Sequence, residues 1–258
     1  MKISYTRILK SLLAIMLLAI FSGCGENSVS TDLLLSSAVE CAGSGKWQAC
    51  DDNALTVLKR DPSNTCALLL RSIALEHMGK AETALAMAKQ AAENAPDDFP
   101  AQYNYGRLLA ARGDSAKNAI QVLERALKLR PGNRSTLILL GQCSSKINAD
   151  NAINYYLALP PAVQKMPEIQ TRIAIYYLDR RDRQAQNLTL AYNALRSAYK
   201  SAPHNPAIVL NLALFLDHYA HNRNVASKLY RNYLTLTEHN PELNMTRAMV
   251  NERMSKLR

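Results

Sequence analysis

Apolar and small side chains recur along most of this chain at the three- and four-residue spacing that marks one face of a helix. Leu68, Ser72 and Leu75 are followed by Ala84, Ala88 and Ala91, and the same rhythm returns with Leu109, Ala119, Leu123 and Ala126. β-Branched runs of strand length are hard to find, so the pattern predicts helices throughout. One stretch differs. Leu12 to Phe21 is an uncharged apolar run, too short for a comfortable membrane span, with Lys2, Arg7 and Lys10 before it and Ser22, Gly23 and Cys24 after it.

Three sets of markers are phased along the rest. Gly45, Gly79 and Gly113 stand 34 residues apart; Pro62 and Pro96 do too, with Pro131 35 further on and Pro203 72 beyond that. Each of these prolines has Asn or Asp two residues later, at Asn64, Asp98, Asn133 and Asn205. A helical hairpin explains the phasing. The Asx residue caps the first turn of helix A by accepting from free backbone N–H groups. The glycine supplies a left-handed turn after helix A. The proline stops helix B.

The pattern resembles the tetratricopeptide-repeat (TPR) motif, with small residues where helices A and B touch and a terminal proline. Leu68, Ser72, Leu75, Gly79, Ala84, Ala88, Ala91 and Pro96 carry the signature in residues 65–98; Tyr105, Gly106, Leu109, Gly113, Ala119, Leu123, Ala126 and Pro131 carry it in 99–133. Residues 31–64 read as a degenerate first unit and 134–166, 167–205 and 206–240 as three more, with 134–166 cut short by Pro160-Pro161 and 167–205 carrying an insertion near Arg180 to Leu188. Residues 241–258 read as one amphipathic capping helix with Leu243, Val250 and Leu257 at seven-residue spacing.

The fold implied is an all-α, right-handed superhelical solenoid of about six hairpins plus a C-terminal cap. By the same resemblance, helix A residues line a concave groove for an extended peptide or an amphipathic helix. That lining would be Leu69, Ile73, Glu76 and His77, then Tyr103, Arg107 and Ala110, then Ile138, Gln142 and Lys146. Thr171, Ile175, Leu178 and Asp179 follow, then Leu210, Leu214, Asp217 and His218. An apolar residue at such a position can equally pack against the adjacent repeat.

Residues 1–23 resemble a bacterial lipoprotein signal, with cleavage before Cys24 and lipid attachment to it; Phe21 stands where leucine is usual. The resemblance implies an exported protein held by acyl chains on Cys24, with Gly25 to Ser30 as a short polar tether. Gly25 in place of aspartate directs such a protein to the periplasmic face of the outer membrane in a cell that has one.

The formal charge of +10 falls to +7 without that signal, 28 Lys and Arg against 21 Asp and Glu. A basic balance favours anionic partners, and export argues against nucleic acid. Four cysteines remain, Cys41, Cys50, Cys66 and Cys143. Cys41 and Cys50 sit late in helix A and early in helix B of one hairpin, so they form a candidate disulfide or else two small core residues. His218 and His221 lack a third ligand, which leaves no metal signature. Gly43-Ser44-Gly45-Lys46 lacks the upstream glycine of a phosphate loop, and Ser197 with Lys200 lacks the companion motifs of an S-x-x-K enzyme. Arg180, Arg181 and Arg183 form a basic cluster in the insertion. No nucleophile–base–orienter set emerges, so no enzyme, cofactor or small-molecule substrate is expected.

The leading expectation is a membrane-anchored TPR scaffold that binds other envelope proteins. Its architecture is similar to pilotin-like TPR lipoproteins of type IV pilus secretin assembly. The alternative is a wall- or polysaccharide-associated module for an anionic glycan.

Overall fold

The computed structural model describes residues 29–113, 115–184 and 186–257; the targeting segment and Cys24 lie outside the described residues. Every regular element among the described residues is helical. The chain divides into two compact bodies, one ending at Ile147 and one beginning at Asn148.

The first body holds α1 Thr31–Gly43, α2 Trp47–Arg60, α3 Thr65–His77, α4 Ala81–Asn94, α5 Phe99–Arg112, α6 Ala116–Leu129 and α7 Arg134–Lys146. Each helix packs on its neighbours in sequence, and α1 also touches α3, α3 touches α5 and α5 touches α7. The expected markers fall where helices begin and end. Asn64 accepts from the Ala67 N–H at 3.0 Å, Asp98 from Ala101 at 2.8 Å and Asn133 from Thr136 at 3.0 Å. Each such cap contributes about 1 kcal/mol. Gly45, Gly79 and Gly113 have φ of 71°, 77° and 86°. After α1 the Lys46 N–H donates to Cys41 O and Gly45 N–H to Ala42 O; after α3 Lys80 donates to Leu75 O and Gly79 to Glu76 O. These bonds satisfy the last carbonyls of the helix, which is why a left-handed residue is needed there.

Small residues set how closely the helices approach. A Cβ on Gly106 would stand 2.7 Å from Leu123 Cγ, so α5 and α6 meet with no room for a side chain. In the previous hairpin the buried Ser72 hydroxyl donates to Ala84 O at 2.9 Å, tying α3 to α4. The core of the first hairpins joins Leu34, Leu35, Val39, Cys50 and Val57 to Leu68, Leu69, Leu70 and Ile73. Burying one such side chain is worth roughly 1.5–3 kcal/mol.

The second body holds α8 Ala152–Leu157, α9 Pro161–Gln164, α10 Pro167–Asp179, α11 Gln186–Ser201, α12 Pro206–His218 and α13 Arg223–Leu236. A 3₁₀ turn Pro241–Leu243 leads into α14 Asn244–Ser255. Pro160 and Pro161 hold α8 to six residues, and Pro161 opens α9 instead. Asn205 caps α12 by accepting from Ala207 and Ile208. Asn148 (φ 56°) and His221 (φ 50°) take left-handed conformations where the earlier hairpins use glycine. Both residue types visit that region more readily than most. Tyr156, Tyr230 and Tyr233 are the largest fully buried side chains of this body.

The single amphipathic cap over 241–258 needs correction. Pro241 starts a 3₁₀ turn, the α-helix begins at Asn244, and of the three spaced aliphatics only Val250 is buried.

Candidate partner-binding surface

The helix A positions expected to line a groove separate into two groups. In the first body most of them are packing residues. Leu69 and Ile73 are each 1% exposed and belong to the core shared with α1. Tyr103 is buried with its ring stacked on Phe99, and Ile138 is buried as well. Arg107 is buried and donates from both terminal nitrogens to Glu76, one bond being 2.7 Å. The same guanidinium donates to Asn104 Oδ1 at 2.9 Å, and the Asn104 amide donates to Ser72 Oγ at 3.0 Å. A guanidinium so engaged links α5 to α3 rather than facing a ligand. Gln142 is half-buried, and His77 and Lys146 are exposed. His77 lies flat on Trp47, ring centroids 3.7 Å apart and planes 1° from parallel.

The second body is different. Ile175 on α10 is 46% exposed and Leu214 on α12 is 37% exposed. They occupy the same place in their repeats as the buried Ile73 and Arg107 do in theirs. Leu210, Thr171 and Leu178 are half-buried beside them in sequence, and both helices pack on α11. Tyr219 is exposed next to this stripe, with the Arg181 guanidinium 5.6 Å from its ring centroid. Exposed aliphatics at one position of two successive repeats, flanked by half-buried ones, make a stripe that an apolar partner would cover.

Asp217 does not join the stripe. Its carboxylate is buried and accepts from Arg253 of α14 at 2.7 and 2.8 Å and from the Tyr230 hydroxyl at 3.0 Å. Arg253 first, and Tyr230 after it, hold the Asp217 carboxyl below the usual carboxylate range against the opposing effect of burial. Burial, then the bond to Asp217, pushes the Tyr230 phenol up.

Of the basic cluster in the insertion, Arg180 is built into the fold, while Arg181 and Arg183 are exposed. Arg180 is 4% exposed, lies over the Tyr176 ring at 4.0 Å, and donates to the carbonyls of Asn148 and Ala149 at 2.8 and 2.9 Å. Arg180 and Arg183 both reach Asp150, which lowers that carboxyl's pKa. Arg181 pairs with Asp182 at 3.8 Å.

Cys41 is half-buried and Cys50 buried, and both are free thiols in this structure. Cys50 is buried with Sγ 3.8 Å from Leu70 O, and burial first, then nearby Cys41, push its thiol up to about 12. A neutral thiol in that setting is a small core residue. The glycine turn at Gly43 to Lys46 spends the N–H groups of Ser44, Gly45 and Lys46 on the carbonyls of α1, so they cannot cradle a phosphate. Ser197 is half-buried and Lys200 exposed along the length of α11. His218 and His221 are both exposed, and no group of three or more His, Cys, Asp or Glu placed to hold a metal occurs among the described residues.

No family model and no curated protein matches the chain. Solved structures do. PilW, described as a widely conserved type IV pilus biogenesis factor, superposes with a TM-score of 0.67 at 18% identity over 84% of this chain and 97% of its own. PilF of Pseudomonas aeruginosa gives 0.63 at 16% identity over 85% and 97%. YrrB, described as a TPR protein with an unusual peptide-binding site, gives 0.58 at 15% identity over 79% and 97%. The helical hairpins described above are therefore those of the tetratricopeptide-repeat fold.

Proposed function

We propose that this chain is a non-enzymatic scaffold, anchored by lipid on Cys24, that holds a segment of another envelope protein on the open aliphatic stripe of its second body. One observation carries the reading. Ile175 and Leu214 are exposed at a repeat position that Ile73 and Arg107 fill as buried packing residues. Aliphatic side chains in water at that position gain by being covered, and a peptide or amphipathic helix with apolar anchors would cover them. Likeness to PilW and PilF supports pilus or secretin biogenesis as the concrete setting, and likeness to YrrB supports a peptide-like partner.

Two substitutions test it in intact cells. Ile175→Asp with Leu214→Asp should leave thermal unfolding unchanged and abolish recovery of a specific cross-linked envelope protein. Retention of that partner by the double variant would refute the site. After a wash in 0.5 M salt, Cys24→Ser should be found in the soluble fraction while the wild type stays with the membrane, and a washed variant that also stays would refute the anchor.

A further inference from the structure

We propose that the outward faces of α11 and α13 form a cationic surface that docks on an anionic phospholipid bilayer. The inference stands on these faces alone and does not require lipid on Cys24.

The charge of the chain is unevenly spread. Residues 148–258 contain fourteen Lys and Arg against eight Asp and Glu, which is six of the ten excess positive charges. Neither α11 nor α13 contains an acidic residue. On α11 the exposed stripe reads Thr189, Asn193, Arg196, Lys200; on α13 it reads Asn224, Lys228, Arg231, Thr235. These are the same four repeat positions, one repeat apart. Arg223 adds a fifth exposed cation at the start of α13.

The corresponding stripes of the first body are mixed. They read Gln48, Asp52, Leu55, Lys59 on α2, then Glu82, Ala86, Lys89, Glu93 on α4, then Lys117, Gln121, Glu124, Lys128 on α6. Each carries an acid, and there acid and base neutralise one another: Lys89 pairs with Glu93 at 3.6 Å. Arg196, Lys200, Arg223, Lys228 and Arg231 form no ion pair among the described residues. An ordinary solvated surface intersperses both signs, as the first body does.

Cations three and four residues apart on a helix stand roughly 5–6 Å from one another. Such a row meets many phosphates of a headgroup layer in any register, and each Lys or Arg adds to the attraction. The two stripes carry no aromatic ring on which a sugar or base could stack, and Val225, 40% exposed one turn before Lys228, supplies an apolar contact beside the cations. Both features favour a bilayer over an anionic glycan.

The test is sedimentation of the Cys24→Ser chain, which carries no acyl anchor, with vesicles of phosphatidylcholine alone or with one part in four phosphatidylglycerol. That parent should bind the anionic vesicles preferentially and lose the preference in 0.5 M salt. Lys228→Gln with Arg231→Gln should weaken the preference about 25-fold, on the order of fivefold per charge. Lys59→Gln with Lys128→Gln removes equal charge from the first body and should weaken it far less. Circular dichroism melting checks that all variants fold alike. Equal binding to neutral and anionic vesicles, or equal loss in both double variants, would overturn the proposal. Tighter binding to alginate than to vesicles, with the same dependence on Lys228 and Arg231, would also overturn it and assign the face to a glycan.

Discussion

Arg253 of the last helix grips both carboxylate oxygens of Asp217, at 2.7 and 2.8 Å, from across the terminal hairpin. Asp217 stands at the repeat position that Glu76 occupies on α3, and Arg107 grips Glu76 in the same two-pronged way. The terminal helix is thus held as the helix A of a further repeat would be. Removing Asp217 deletes a charge-assisted bond made by a buried carboxylate, so Asp217→Asn should cost about 1–2 kcal/mol. Because the folded carboxyl titrates lower than the unfolded one, its stabilisation is complete above the unfolded value of about 3.9 and fades as pH falls through the folded value. Denaturant melts should therefore show wild type and Asp217→Asn differing near pH 7 and converging in acid.

Arg107 carries a second prediction. Its side chain is 5% exposed and its partners Glu76 and Asn104 are on two different helices. Arg107→Ala removes both bonds to Glu76 and the bond to Asn104 from a buried guanidinium, at a cost of about 3 kcal/mol. The substitution should lower the melting temperature, and any loss of binding it causes would be secondary to that. Urea unfolding of the variant measures it directly.

Gly106 gives a third. Alanine is the better helix former by up to about 1 kcal/mol, but its Cβ would overlap Leu123 Cγ and Cδ2 at 2.7 and 2.8 Å. Gly106→Ala should therefore destabilise by about 1 kcal/mol net, and Gly106→Val by more. Leu123→Val should recover part of the loss, so that the double variant is more stable than the sum of the single effects predicts.

Much of this architecture was legible in the sequence because the features that set it are local. A glycine, an Asx cap and a proline each act on the backbone within a few residues, and their phase gave the hairpins. Asn148 and His221 show the limit of that logic, since each fills a glycine's place without resembling one. The fate of the helix A aliphatics was not legible. Ile73 and Ile175 have the same residue type at the same repeat position, and one is 1% exposed while the other is 46% exposed. Which of them is covered depends on how neighbouring helices approach, a property of side chains far away in sequence. The charge clusters were opaque for a related reason. Arg180 looks like part of a solvated loop with Arg181 and Arg183 until Asp150 and Tyr176 are brought against it, whereas the acid-free rows on α11 and α13 become visible once exposure is known.

The stack of Trp47 on His77 offers an optical probe, because Trp47 is the sole tryptophan of the chain. His77→Ala should expose more of the indole and move its emission to longer wavelength. An unchanged spectrum would mean that the ring is shielded by other groups.

The central claim is that the aliphatic stripe on α10 and α12 is covered by a protein partner. Site-specific photo-cross-linking in living cells tests it most directly, with a photoreactive residue placed in turn at Ile175, at Leu214 and, as a control, at Thr189 on the outward face of α11. The account predicts one discrete adduct, shared by positions 175 and 214 and absent at 189. No adduct at either stripe position, or the same adducts at all three, would contradict it.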